Sequence, residues 1–386
     1  MKWKKSELSN ISRIGDGAHA SLKRVDSGIP YLTAKNITKS GIDYANMDYI
    51  SEEVYKKHFK EKSNALTQPK ENDILYSIIG SIGGVYVVRD EKIGISSSVA
   101  IFRANEDVVI PQYLAYFLKS HSFDAQVQAI KGGVAQGFMS LGKLGSVNIS
   151  YPDNIHYQKK IVDVLSVYDD LIENNQKQIK LLEEASRRLY KEWFVDLRFP
   201  GYEEVTIVDG VPDGWTHGIL GDIATFKRGK TITKAQVQEG DVPVVAGGLE
   251  PAYYHNMANT VAPVITVSGS GANAGFARLY NVDVFASDCS FADSYTTPYL
   301  YYVYCFIKDN TASIDALQKG SAQPHVYAKD INALKTLIPK NELIEGFCNI
   351  VSKYFEKIKI LQKQILLSTQ ARDRLLPRLM NGEIEV

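Results

Sequence analysis

Two short segments each set a lysine and an amide side chain around a glycine turn. Lys131-Gly132-Gly133-Val134-Ala135-Gln136 has its counterpart in Lys319-Gly320-Ser321-Ala322-Gln323. A glutamine can pair bidentately with N6 and N7 of adenine in the major groove, and a lysine beside it can meet a phosphate. The same residues have a second reading, in which Gln136 and Gln323 bond to backbone and hold the loop. Lys227, Arg228, Lys230 and His325 suit phosphate contacts or stand as solvated surface charges. Thr33, Lys35 and Asn36 form a polar edge beside the apolar run Pro30-Tyr31-Leu32, with side chains that could read bases. Ser77, Ser81, Ser268 and Ser270 sit in glycine turns, where a hydroxyl is either a phosphate donor or an ordinary turn residue.

Catalytic signatures are missing. No Walker A, HExxH or GxSxG sequence occurs, nor the Asn/Asp-Pro-Pro-aromatic sequence with which amino-methyltransferases hold a target base. The run Gly269-Ser270-Gly271-Ala272-Asn273-Ala274-Gly275 follows Val264-Ile265-Thr266-Val267 as a dinucleotide-binding turn would. The residues after it, Phe276 to Tyr280, have strand character, and the counterpart Gly80-Ser81-Ile82-Gly83-Gly84 precedes Val85-Tyr86, so both are expected to be β-turns. Asp73 with Asp90-Glu91-Lys92 has the residue types of a magnesium nuclease, but the repeat partner Arg278-Leu279-Tyr280 keeps none of them. The three cysteines, Cys289, Cys305 and Cys348, lack CxxC spacing and indicate neither a disulfide framework nor a zinc site.

The elements that must position these residues are written twice. Gln176-Lys177-Gln178-Ile179 recurs as Gln362-Lys363-Gln364-Ile365, and at the same offset Ser166 meets Ser352, Tyr168 meets Tyr354, Ile172 meets Ile358 and Arg188-Leu189 meets Arg374-Leu375. Upstream, the lysine-glycine turns match with an offset shifted by one or two residues, and each half begins near a tryptophan, Trp3 and Trp215. Short β-rich runs punctuated by glycine precede a helix expected from Pro111 to Gly132; in the second half Thr297 is the expected N-cap, Pro298 the first helical residue and Gly320 the end.

From about Ile155 to Asp196 there is neither Gly nor Pro, and apolar residues fall on a heptad seam: Ile161, Leu165, Tyr168, Ile172, Ile179, Leu182, Leu189 and Trp193. The second copy reads Phe347, Val351, Tyr354, Ile358, Leu361, Ile365, Leu375 and Leu379, with polar slots at Asn175, Ser186, Ser368 and Arg372. Two seams of one register pack together, each about 55 Å long at about 1.5 Å per residue. A repeat of head and helix implies a pseudo-twofold axis, antiparallel helices and heads at opposite ends. The expected fold class is therefore α+β: two pseudo-repeated mixed α/β domains, each followed by a long helix, the helices forming an antiparallel coiled coil. The expected boundaries are 1–154 for the first domain, 155–198 for its helix, 199–340 for linker and second domain, and 341–386 for the second helix.

The 386 residues suffice for two such domains, and 44 basic against 44 acidic residues argue against coating nucleic acid by bulk charge. A sequence-specific reader with a local basic face remains compatible with that balance. A reducing cytoplasm is the expected compartment, with no segment long and apolar enough to span a membrane.

The closing run Leu375-Leu376-Pro377-Arg378-Leu379-Met380-Asn381-Gly382-Glu383-Ile384, the central Leu189-Tyr190-Lys191-Glu192-Trp193-Phe194 and the duplicated helix resemble the specificity subunit of type I restriction-modification systems over essentially the whole chain. The resemblance implies two target-recognition domains, each reading one half of a bipartite double-stranded DNA site, with the helices setting the gap. It also implies two docked modification subunits that methylate adenine N6, and restriction subunits that translocate and cleave. Such a chain is non-catalytic and binds no cofactor itself; S-adenosylmethionine, ATP and Mg²⁺ belong to its partners. The other classes considered are a coiled-coil scaffold for protein partners, without DNA, and a stand-alone nuclease.

Overall fold

In the computed structural model, residues 2–38, 41–44, 46–61, 65–80, 82–131, 139–320 and 323–386 are described. The chain divides into two compact units, residues 1–173 with 366–386, and residues 174–365. Each unit joins one β-rich head to one half of each long helix, so the helices are shared and the heads are not.

The heads repeat the same three sheets, the first adding a short ribbon of Ile37–Thr38 on Gly41–Ile42. In the first, a four-stranded antiparallel sheet runs in the order Ser12–Asp16, Val99–Ala104, Ile74–Ser77, Val85–Val87. In the second the order is Lys227–Arg228, Cys289–Asp293, Val264–Ser268, Ala277–Tyr280. Beside each lies a three-stranded sheet whose central strand pairs antiparallel on one side and parallel on the other. Ile29–Leu32 stands between Asp48–Ile50 and Gly94–Ile95, and Val242–Val245 between Tyr253–His255 and Phe285–Ala286. A two-stranded ribbon closes each head, Trp3–Glu7 on Asn148–Pro152 and Thr216–Ile219 on Lys335–Ile338. The central strands are continuous apolar runs, and Ile74, Leu75, Tyr76, Val264, Ile265 and Val267 are all buried.

Both glycine runs are hairpin turns. Val264–Val267 pairs antiparallel with Ala277–Tyr280 across the second, as Ile74–Tyr76 pairs with Val85–Val87 across the first, and no helix follows either to present its N-terminus to a pyrophosphate. The helical expectations need two corrections. The segment from Pro111 is two helices, Pro111–Leu118 and His121–Lys131, because the buried Ser120 hydroxyl donates to Phe117 O at 2.7 Å and accepts from Phe123 N at 3.2 Å, ending one helix and starting the next. In the second head the helix begins at Leu300. Thr297 Oγ1 accepts from Tyr299 N at 3.1 Å, a tight local turn that leaves Pro298 ahead of the helix. That helix ends at Asp309, and a further turn, Thr311–Asp315, stops short of Gly320.

The long helices span Ile155–Tyr190, with a π-turn Lys191–Val195, and Asn341–Met380. In the first unit Asp169 meets Arg372, and Ile161 and Leu165 share a core with Leu376 and Leu379. In the second, Asn175 Nδ2 donates to Gln364 Oε1 at 3.2 Å, and Tyr190 packs its ring edge-on to Phe347. Within each unit the partner number falls as the residue number rises, so the pairing is antiparallel. All sixteen expected seam residues are buried or half-buried. The polar slots Asn175, Ser186 and Ser368 are buried too; Ser186 satisfies itself by donating to Leu182 O at 2.9 Å. Tyr190, Trp193, Phe194, Trp215, Tyr302 and Phe347 form an aromatic core that roots the second head on its helices.

Candidate nucleic-acid interface

At one edge of each head the same loops converge. In the second head, Val326 N bonds to Gly269 O at 3.1 Å, Gly271 N to Pro324 O at 3.0 Å and Gly269 N to Asp288 O at 3.2 Å. Ser268 Oγ donates to Gly247 O at 3.2 Å, and the backbone of Lys230 bonds to Ala286 O at 2.9 Å. These bonds gather Lys227, Arg228, Lys230, Ser268, Ser270, Lys319, Gln323 and His325, drawn from three separate stretches of sequence, into one loop cluster.

Their states differ. Lys227, Arg228 and Lys230 are exposed and make no ion pair with a described residue, as a phosphate-contacting set would require. Gln323 is exposed and makes no side-chain hydrogen bond with a described residue, so its amide does not hold the loop within that set. Lys319 Nζ lies 2.8 Å from Asp330 Oδ2, the lysine exposed and the carboxylate half-buried. The ring of His325 stacks on that of Tyr327, with centroids 6.0 Å apart. Ser268 is buried with its hydroxyl committed to backbone, and Ser270 Oγ donates to Asp288 Oδ2.

In the first head the cluster is formed by residues 33–36, the glycine turn and the serines at 96–98. Ala34 N donates to Ser98 Oγ at 2.9 Å, Ile78 N to Ser98 O at 2.9 Å, and Met139 N to Ile78 O at 3.0 Å. The glycine turn presses on the strand after residue 36: a Cβ on Gly84 would stand 2.1 Å from Ile37 O. Lys35 is exposed, but Asn36 is 3% exposed. Its Oδ1 accepts from the amide and hydroxyl of Thr33, both at 2.9 Å, and its Nδ2 donates to Asp43 O and Asn46 O. Asn36 therefore braces the loop from below, and of this expected polar edge Lys35 faces outward. Ser81, Gln136 and the side chain of Lys131 lie outside the described residues.

The acidic set with nuclease-like residue types is dispersed by the fold. Asp73 is buried and receives Arg103 at 2.7 Å, Glu91 Oε1 accepts from the Tyr86 hydroxyl at 2.5 Å, and Lys92 pairs with Glu52 at 2.6 Å. No group of three or more metal-ligating side chains occurs among the described residues. A cavity of about 980 Å³ in the first unit is lined by residues including Trp3, Lys119, His121, Arg372 and Met380 and by none of the candidates.

Sequence reasoning missed Asp288, Asn273 and Tyr327, which stand among the candidates. Asp288 follows a two-residue parallel pairing, Val244–Val245 on Phe285–Ala286, too short to leave a period in the sequence.

The model of the type I restriction modification DNA specificity domain matches this chain twice, at residues 1–184 and 212–367. The type I restriction enzyme MjaIX specificity subunit of Methanocaldococcus jannaschii is 27% identical, over 100% of this chain and 94% of that protein. The HindI specificity subunit of Haemophilus influenzae is 24% identical, over 82% and 87%. In fold, the chain is similar to the crystal structure of the type I restriction-modification S subunit from M. genitalium, with TM-score 0.57 and 18% identity over 98% of this chain and 96% of that one.

Proposed function

The chain belongs to the family of type I restriction-modification DNA specificity subunits, and from that membership we propose that each head reads one half of a bipartite double-stranded DNA site while the paired helices set the gap. The subunit is non-catalytic and selects DNA sequence for a restriction-modification complex. The observation that carries the finer reading is the repetition itself. Two heads of one sheet topology bring equivalent loops together at one edge, with Lys35 exposed there in the first and Lys227, Arg228, Lys230 and Gln323 in the second, and each head is rooted on an antiparallel helix pair. One head per half-site is what a split sequence demands.

In this reading two modification subunits dock on the helices, and restriction subunits join them. Apolar side chains left exposed on the helices support it: Val167, Leu171, Leu366 and Leu367 in the first unit, and Leu181, Ile350 and Ile360 in the second. Leu181 and Leu367 occupy equivalent positions of the repeat and are 69% and 54% exposed, a cost in water that a partner helix would remove. The chain then needs no cofactor of its own, since methyl transfer, ATP use and Mg²⁺ belong to those partners. A cytoplasmic site of action belongs to the same reading; among the described residues no helix is long and apolar enough to cross a membrane.

Replacing residues 213–340 with those of a related subunit tests the division of labour. The methylated motif should change in one half only, with the other half and the gap retained. A change in both halves contradicts it.

A further inference from the structure

The equivalence of the two heads allows their loop clusters to be superposed residue by residue. Val99 pairs with Ser77 in the first head and Cys289 with Ser268 in the second, so Ser98 and Asp288 occupy the same point. Ser98 is a neutral brace: its Oγ accepts from Ala34 N and lies 2.6 Å from Ser96 Oγ. Asp288 places a carboxylate there instead. Its Oδ2 accepts from the Ser270 hydroxyl, while Oδ1 makes no hydrogen bond and the residue makes no ion pair with any described residue. This holds although Lys227, Arg228 and Lys230 stand on the adjoining segment, whose Gly229 N donates to Cys289 O at 2.8 Å.

A carboxylate on a face that meets phosphates is repelled by them unless it points between them, at the base edges. There it can only accept. Guanine presents two acceptors, N7 and O6, on its major-groove edge, and thymine an acceptor and a methyl group. Adenine offers N6–H beside the acceptor N7, which suits an amide and repels a carboxylate. Cytosine offers the N4 amine with no acceptor of its own beside it.

We infer that Asp288 is a specificity-determining residue that accepts a hydrogen bond from cytosine N4 in the half-site read by the second head, with Ser270 as the positioning residue that fixes the carboxylate. The inference rests on the reading that the second head meets DNA through this loop cluster.

The test is to map N6-methyladenine motifs in cells carrying the chain and its modification subunit, as wild type, Asp288→Asn and Asp288→Ser. The serine variant installs the side chain already tolerated at the equivalent point of the first head. The expected result is a cytosine in one half-site that becomes adenine or degenerate in D288N and degenerate in D288S, the other half-site and the gap being unchanged. With purified wild-type complex, replacing that cytosine by 2-pyrimidinone, which lacks the N4 amine, should weaken binding about ten- to a hundredfold, and variant complexes should be indifferent to it. Variants that keep the wild-type motif overturn the inference while leaving DNA reading intact. If neither variant assembles, the analogue is scanned through every cytosine of the wild-type motif, and the absence of any sensitive cytosine in one half overturns it equally. A wild-type chain that yields no chain-dependent motif with an active modification subunit overturns the underlying reading instead.

Discussion

Asp169 on the first long helix ties three elements of its unit together: one carboxylate oxygen accepts from Arg372 Nη1 on the second helix at 2.6 Å, and the other from the Tyr116 hydroxyl of the head at 2.7 Å. Arg372 and Asp169 are 25% and 30% exposed, so the pair is screened by water only in part. Replacing Asp169 by Asn removes the charge while keeping the shape. It should destabilise the protein by about 1–2 kcal/mol, a discounted value for a part-exposed charged network. Thermal denaturation of the variant measures it; an unchanged melting temperature would mean that the head is held on its helices by apolar packing alone.

The cysteines give a pH dependence. Burial pushes the Cys289 thiol up to about 12 and Cys348 up to about 11, from an ordinary value of 9.0, and drives Cys305 higher still. The native chain therefore keeps thiol protons that the unfolded chain releases. This stability is fully present below pH 9 and declines as the pH rises through 9 toward 11 and 12. At pH 8 the three thiols should react with iodoacetamide far more slowly in the native protein than in denaturant, by mass spectrometry. Equal rates would contradict their burial.

Lys227, Arg228 and Lys230 are expected to act on phosphates and so to contribute affinity without sequence preference. Alanine at each should weaken binding of specific and unrelated duplexes alike and lower the slope of log K against log salt by about 1 for each cation removed from a phosphate. Fluorescence anisotropy across a salt series checks this. A variant that alters the preferred sequence and leaves the salt slope intact would move that residue from the DNA backbone to a base edge.

Gly84 lies where backbone of the glycine turn presses on the strand beyond Asn36, and the 2.1 Å approach to Ile37 O leaves no room for a Cβ. Gly84→Ala should displace the loop at residues 33–38, at a cost of about 1–3 kcal/mol. It should degrade recognition of one half-site and leave the other intact. Degradation of both halves would show that the heads do not read independently.

Much of the architecture was legible because the same pattern occurs twice. The heptad positions that Leu165 shares with Val351 and Ile179 with Ile365 defined the helix pair and its polar slots, since a seam of period 3.5 has few other solutions. Gly271 and Gly275 were readable as a turn from the strand-like residues after them. The parallel pairings of Leu32 with Ile95 and Val245 with Ala286 were not legible, because they join stretches far apart in sequence through two residues apiece. Asp288 was hidden for that reason. Asn36 illustrates the opposite failure: its residue type suggested a base contact, but its burial depends on Asp43 and Asn46, whose carbonyls no local pattern places beside its amide.

The most direct test of the central claim, that this chain selects a bipartite DNA site, is to map N6-methyladenine across the genome of a host carrying the cognate modification subunit, with and without this chain. The account predicts a split motif methylated on both strands that appears only when the chain is present. Absence of any chain-dependent motif, with the complex formed and the modification subunit active, would contradict it.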